Sequence, residues 1–200
     1  MGDKEDRRFG PYGFDEFLRV AEEFHGAVAP GLILGGYMVE MAKSQIPDGV
    51  LYDAISETAS CLPDAIQLLT PCTIGNGWLK VIDLGLYALS LFDKYTGEGI
   101  RVSLDQGKLA PYREIRAWYF KLKEKRDQDL RLIVEEIRKA GEKILAVRKI
   151  RVSPGILGKT GKGEIGVCPA CQEGYPVKHG ATCLSCQGGS PYVPRGRDPA

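Results

Sequence analysis

The sequence predicts an α+β core followed by a small zinc-binding domain at its C-terminal end. Three observations lead there. Apolar residues recur at helical spacing in the first forty positions. Short apolar runs separated by turn-rich links follow between residues 78 and 104. Two Cys-x-x-Cys pairs sit in "VCPACQEGYPVKHGATCLSC", Val167 to Cys186. A chain of 200 residues with 44% hydrophobic content is long enough for one ordinary core and an appendage.

Taken in order, Asp15–Phe24 reads as a helix, with Phe14, Phe17, Leu18, Ala21 and Phe24 at helical spacing. "HGAVAPG" breaks it, and Leu32–Ala42 reads as a second, largely buried helix whose Gly35-Gly36 admits close approach by another backbone. Pro47-Asp48-Gly49 is a turn, and Val50–Ser56 reads as a strand. Pro63–Leu69 reads as a short helix, with Pro63 in its first turn and Asp64 at its dipole's positive end. Trp78–Leu84, Leu86–Phe92 and Ile100–Leu104 read as strands, consistent with a meander. From Pro111 to Ala146 the pattern turns helical, with Leu130, Ile133, Val134, Ile137 and Leu145 on one face and charges on the other. Ile150–Val152 reads as a last strand. The core is thus bounded at 9–153, a glycine- and lysine-rich linker at 154–163, and the zinc finger at 164–194. "GILGKT" in the linker falls two residues short of a phosphate loop.

Bulk properties narrow the function classes. A net charge of +1 supplies no electrostatic footprint for nucleic acid or an anionic membrane. No apolar run approaches the roughly 18 residues that span a bilayer, and the charged N-terminus does not read as a signal peptide. A cytoplasmic setting follows, in which paired cysteines read as metal ligands before disulfides.

Cys168/Cys171 and Cys183/Cys186 are separated by eleven residues. Each pair is a tight knuckle, and two facing knuckles make a tetrahedron of soft ligands that suits Zn²⁺. "GEIGV" and "YPVKHGAT" supply a small hairpin, while "QGGSPYVPRG" is a poor helix, so both a treble clef and a ribbon remain open. Four thiolates leave no free coordination position. The metal is therefore read as architecture, holding together a fragment too small to fold by burial.

Any chemistry then lies upstream. His25, Cys61 and Cys72 each fall at a break between elements, with Asp64 and Asn76 nearby. On pattern alone the two cysteines read as small buried hydrophobes and the histidine as a satisfied helix end. A second reading joins His25 and the two thiols in an open metal site. A third makes Cys61 a nucleophile whose thiol pKa is lowered at a helix start, His25 its base and Gly75-Asn76-Gly77 a backbone cradle.

"FHGAVAPGLILGGYM", "ETASCLPDAIQLLTPCTIGNGWLKVIDLG" and "FDKYTGEGIRV" together resemble the FmdE family of formylmethanofuran dehydrogenase proteins over Phe14 to Val152. The resemblance implies helices packed on a mixed sheet, a homodimer, tolerance of a C-terminal zinc finger, and association with the tungsten or molybdenum enzyme that reduces carbon dioxide to formylmethanofuran in methanogens. That family carries His-Gly-His-x-Cys-Pro-Gly where this chain has His25-Gly26-Ala27-Val28-Ala29-Pro30-Gly31. Ala27 and Ala29 offer no ligand and no proton. The expectation is a metal-binding, non-catalytic accessory protein. Its finger metal is held by Cys168, Cys171, Cys183 and Cys186. Its core cleft is lined by His25, Cys61, Asp64, Cys72 and Asn76, with room for a second metal. Its partners are a second copy and the other components of the enzyme rather than a membrane or nucleic acid. A stand-alone Cys/His enzyme and a zinc-finger nucleic-acid regulator are the alternatives.

Overall fold

The computed structural model describes residues 7–158, 161 and 163–192, so the ends of the expected linker and finger, including 159, 160, 162, 193 and 194, lie outside the described residues. The chain divides into two compact units, Met1–Gly158 and Lys159–Ala200.

The first unit begins with a two-strand ribbon, β1 (Arg8–Phe9) and β2 (Tyr12–Gly13), then α1 (Phe14–His25) and α2 (Pro30–Lys43). Phe14, Phe17 and Ala21 form the buried face of α1. Gly26, at φ 85°, closes that helix with its N–H on the Glu22 carbonyl, the left-handed cap that only glycine adopts without strain. In α2, apolar residues face every direction, and ten of its fourteen positions are buried, as expected of a helix running through a core. A Cβ on Gly35 would stand 2.7 Å from the Ala65 Cβ, and one on Gly36 2.7 Å from the Phe17 ring. The close approach read from this glycine pair is therefore mainly to side chains of flanking helices.

Next come β3 (Tyr52–Ser56), α3 (Leu62–Leu69), β4 (Leu79–Val81), β5 (Ala88–Asp93), β6 (Glu98–Leu104), α4 (Arg113–Tyr119), α5 (Leu130–Ala140) and β7 (Leu145–Arg151). The large sheet runs β4-β3-β5-β6-β7. Only the β3–β4 pair is parallel, joined by α3 as its crossover, so the sheet is mixed. This corrects the simple meander. The runs read at 78–84 and 86–92 do not pair with each other, because β3 lies between them; only β5, β6 and β7 succeed one another.

The long helical pattern of 111–146 is also corrected. It is cut after Tyr119, where Lys121 takes φ 52°, and restarts at α5, whose Asp129 side chain accepts from the Arg131 and Leu132 N–H groups. Ile133 and Ile137 are buried as expected, but Leu130 is exposed, and Leu145 belongs to β7 opposite Leu104.

One face of the sheet, carrying Ala54, Leu89, Leu91, Ile100 and Val102, joins the helix core. The register places Asp53, Ser90 and Arg101 on the other face. There Arg101 Nε and Nη2 grip both Glu57 carboxylate oxygens at 2.5 Å, in a nearly buried bidentate pair.

The second unit holds one hairpin, β8 (Ile165–Val167) against β9 (Gly174–Pro176), with the first cysteine knuckle at its turn. After the second knuckle the backbone makes a short π turn, Ser185–Gly189, and no longer helix through Tyr192. Among the described residues no helix is long and apolar enough to cross a membrane.

Candidate functional site

The four cysteines of the finger bring their sulfurs within 4.8 Å of one another. A tetrahedral zinc with Zn–S bonds of about 2.3 Å requires sulfurs about 3.8 Å apart. Cys171 and Cys183 Sγ stand 3.7 Å apart, far beyond the roughly 2 Å of a disulfide. Cys168 and Cys183 are buried, Cys171 and Cys186 exposed. The Cys183 N–H donates to the Cys168 sulfur at 3.4 Å. That bond, with another from the Cys171 N–H, holds the Cys168 thiol down at about 6, so one thiolate is ready before the metal arrives. The donor set fits a closed structural zinc. It is the only cluster of three or more such donors among the described residues.

In the first unit, α1 ends at His25, the short link 26–29 turns the chain, and α3 begins opposite. His25 Nδ1 meets Asp64 Oδ2 at 2.6 Å, and His25 Nε2 faces Cys61 Sγ at 3.8 Å. The imidazole thus bridges the two rather than sharing one point with them. Cys61 is the residue before α3 and takes φ 51°, ψ −45°, a conformation that costs a non-glycine residue about 1–3 kcal/mol. Its thiol is pushed up by burial and by the Asp64 charge, against a lowering bond from the Leu32 N–H. The expected lowering by the start of α3 is therefore overturned: burial and a carboxylate three residues on outweigh it.

Gly31 lets α2 lie against this thiol, since a Cβ there would fall 2.9 Å from Tyr87 Oη and 3.2 Å from Cys61 Sγ. The fully buried Tyr87 hydroxyl donates to the Gly31 carbonyl and pins the start of α2. A cavity of about 760 Å³ opens beside these groups. Val28, Ala29, Trp118 and Ile133 give it apolar walls, and Lys121 and Lys125 stand at its edge.

Cys72 and Asn76 lie elsewhere. Cys72 is fully buried, its thiol donates to the Tyr52 carbonyl at 3.5 Å, and burial pushes it up to about 11. The Asn76 side chain ties its own loop, accepting from the Thr73 and Trp78 N–H groups and donating to the Pro71 carbonyl. Two N–H groups of the expected Gly75-Asn76-Gly77 cradle are spent on Thr73 Oγ1 and the Ile74 carbonyl. Gly31, Leu32, Tyr87 and Trp118 were not legible as site residues. Tyr87 sits in a run that reads as strand, and only the tertiary fold brings it to the thiol.

Residues 24–151 match the family model described as FmdE, Molybdenum formylmethanofuran dehydrogenase operon. The chain belongs to the FmdE family. Residues 159–193 match a second model, the FmdE treble clef zinc finger, which decides between the two finger types. The fold is similar to the crystal structure of an FmdE-like protein of tungsten formylmethanofuran dehydrogenase from Syntrophus aciditrophicus. That likeness has TM-score 0.86 and 52% identity, covering 94% of this chain and 99% of the other. A probable S-adenosyl-L-methionine-binding protein of Archaeoglobus fulgidus is 33% identical over 102 residues. That match takes in 46% of this FmdE-family chain and only 27% of the relative's length.

Proposed function

We propose that this chain is a metal-binding accessory protein of a tungsten or molybdenum formylmethanofuran dehydrogenase, working in the cytoplasm in methanogenesis-related metabolism or a relative of it. What carries the reading is 52% identity, over nearly the whole of both chains, to an FmdE-like protein named for the tungsten enzyme. The finger's zinc has four thiolates and no open position, so it shapes the protein instead of activating water. The core cleft is read as the place for a small organic ligand. A second metal there would find only Cys61 Sγ and His25 Nε2 as donors, because Ala27 and Ala29 offer none and Asp64 holds the other imidazole nitrogen. Affinity capture of this chain co-expressed with the pterin-bearing subunits of such an enzyme should retain those subunits in fixed ratio. Their absence from the captured material at both low and physiological salt would end the accessory role.

A homodimer belongs to the same reading. The apolar run of α2 is spent inside its own core, but Leu84 and Leu86 stay 60% and 50% exposed beside the sheet. Sedimentation at micromolar concentration should give twice the chain mass, and a monomer at that concentration contradicts it.

A further inference from the structure

We propose that Cys61 is a nucleophile for activated acyl compounds, esters or thioesters, with His25 as its proton acceptor and Asp64 as the group that orients the imidazole. The inference rests on the cleft being the core's ligand site. It does not depend on the enzyme partner, so failure of the capture experiment leaves it standing and its own failure leaves the partner reading intact.

The order of contacts supports it. Asp64 Oδ2 holds His25 Nδ1 at 2.6 Å, which fixes the tautomer with Nε2 unprotonated and facing the Cys61 sulfur at 3.8 Å. That separation is of the loose kind common before substrate closes a nucleophile–base pair. The three side chains come from two elements, with Asp64 one turn beyond Cys61 on α3, so one helix places both ends of the relay around an imidazole from α1. Cys61 carries a positive φ outside any glycine turn, and it lies on the wall of the 760 Å³ cavity rather than in the core. Cys72, the other thiol of this unit, has none of these features.

Donors for a developing oxyanion come from α2. Pro30 opens that helix and Ala29 accepts the first intrahelical bond, from Ile33, so the N–H groups of Gly31 and Leu32 have no acceptor within the helix. The Leu32 N–H already reaches the Cys61 thiol. This takes the place of the 75–77 cradle, whose donors are spent. The apolar walls exclude water and suit an acyl chain, and the lysines at the edge suit an anionic tail.

The chemistry closes without a further reagent. As the sulfur attacks the carbonyl carbon, the S–H proton passes to His25 Nε2. The imidazolium returns it to the departing alkoxide or thiolate as the ester or thioester bond breaks. The product is an acyl thioester on Cys61 and a free alcohol or thiol. Water that gives its proton to His25 Nε2 then attacks the thioester, releasing the carboxylic acid and restoring the thiol.

The test uses full-length, zinc-loaded protein and p-nitrophenyl acetate. One acetyl group should appear on Cys61 by peptide mass mapping, with release of one equivalent of nitrophenol per chain in a burst. Cys61→Ala should abolish the burst, and His25→Asn should slow it about a hundredfold, the usual scale of lost general-base help. Asp64→Asn should also slow it. Because that substitution touches the relay and the helix start together, each variant is checked for native circular dichroism and full zinc content. If Asp64→Asn does not fold, His25→Asn alone decides. Equal acetylation rates in wild type and folded His25→Asn overturn the proposal. So does acetyl found only on Cys72 or the finger cysteines.

Discussion

Cys183→Ala should abolish zinc binding and unfold the finger while the core stays folded. Cys183 is one corner of the four-sulfur cluster and its N–H also bonds the Cys168 sulfur, so its loss removes a ligand directly, while the backbone donor remains. The buried core of the finger is only Cys168, Tyr175 and Cys183, too little apolar surface to fold by burial. Structural zinc in small fingers contributes apparent binding free energies of about 10–16 kcal/mol, which is also their folding energy. Metal content should fall from one zinc per chain to none. Amide exchange should accelerate across β8 and β9 and stay slow in β3, β5 and β6, whose residues join the separate core cluster. A variant that keeps a full equivalent of zinc would place the metal elsewhere.

Arg101→Met should cost the core about 3–5 kcal/mol, the usual penalty for stranding one charge of a buried pair. The Glu57 and Arg101 side chains are only 10% and 13% exposed and joined by two 2.5 Å bonds. Glu57 is also a backbone junction, since its N–H donates to the Ala88 carbonyl and its own carbonyl accepts from Leu84 and Leu86. Removing the guanidinium leaves a carboxylate on the sheet face without its counter-charge. Urea denaturation measures the loss, and a double variant, Arg101→Met with Glu57→Leu, should recover most of it because no charge is then stranded. A single-variant loss below about 1 kcal/mol would mean that solvent reaches this pair freely.

How much of this was readable depends on whether the signal is local. The α1 and α2 helices are written in apolar spacing, and the finger in two Cys-x-x-Cys pairs whose geometry metal chemistry dictates. The place of β4 is not local. Its parallel pairing with β3 depends on a crossover through α3, and nothing within Leu79–Val81 distinguishes that partner from β5. The break after Tyr119 was hidden because charged residues on both sides continue a helical rhythm, while the Asp129 cap that restarts α5 shows only as one aspartate among many.

The core site divides the same way. His25, Cys61 and Asp64 were each visible as residues at element ends, and the fold brings them into one line. Cys72 and Asn76 looked equivalent in the sequence because loop position alone cannot distinguish a thiol facing a cleft from one facing a carbonyl in the core. The direction of the Cys61 pKa shift was also unreadable. It depends on how far α2 covers the thiol, which the absence of a Cβ on Gly31 permits.

The division between a metal that builds and a cleft that binds is tested most directly by X-ray absorption at the zinc edge on the full-length, unmodified protein, together with total metal analysis. One zinc per chain should appear with four sulfur neighbours at about 2.3 Å and no lighter ligand. A nitrogen or oxygen in the first coordination shell, a second bound metal, or a metal-free chain with its finger thiols oxidised would contradict that division.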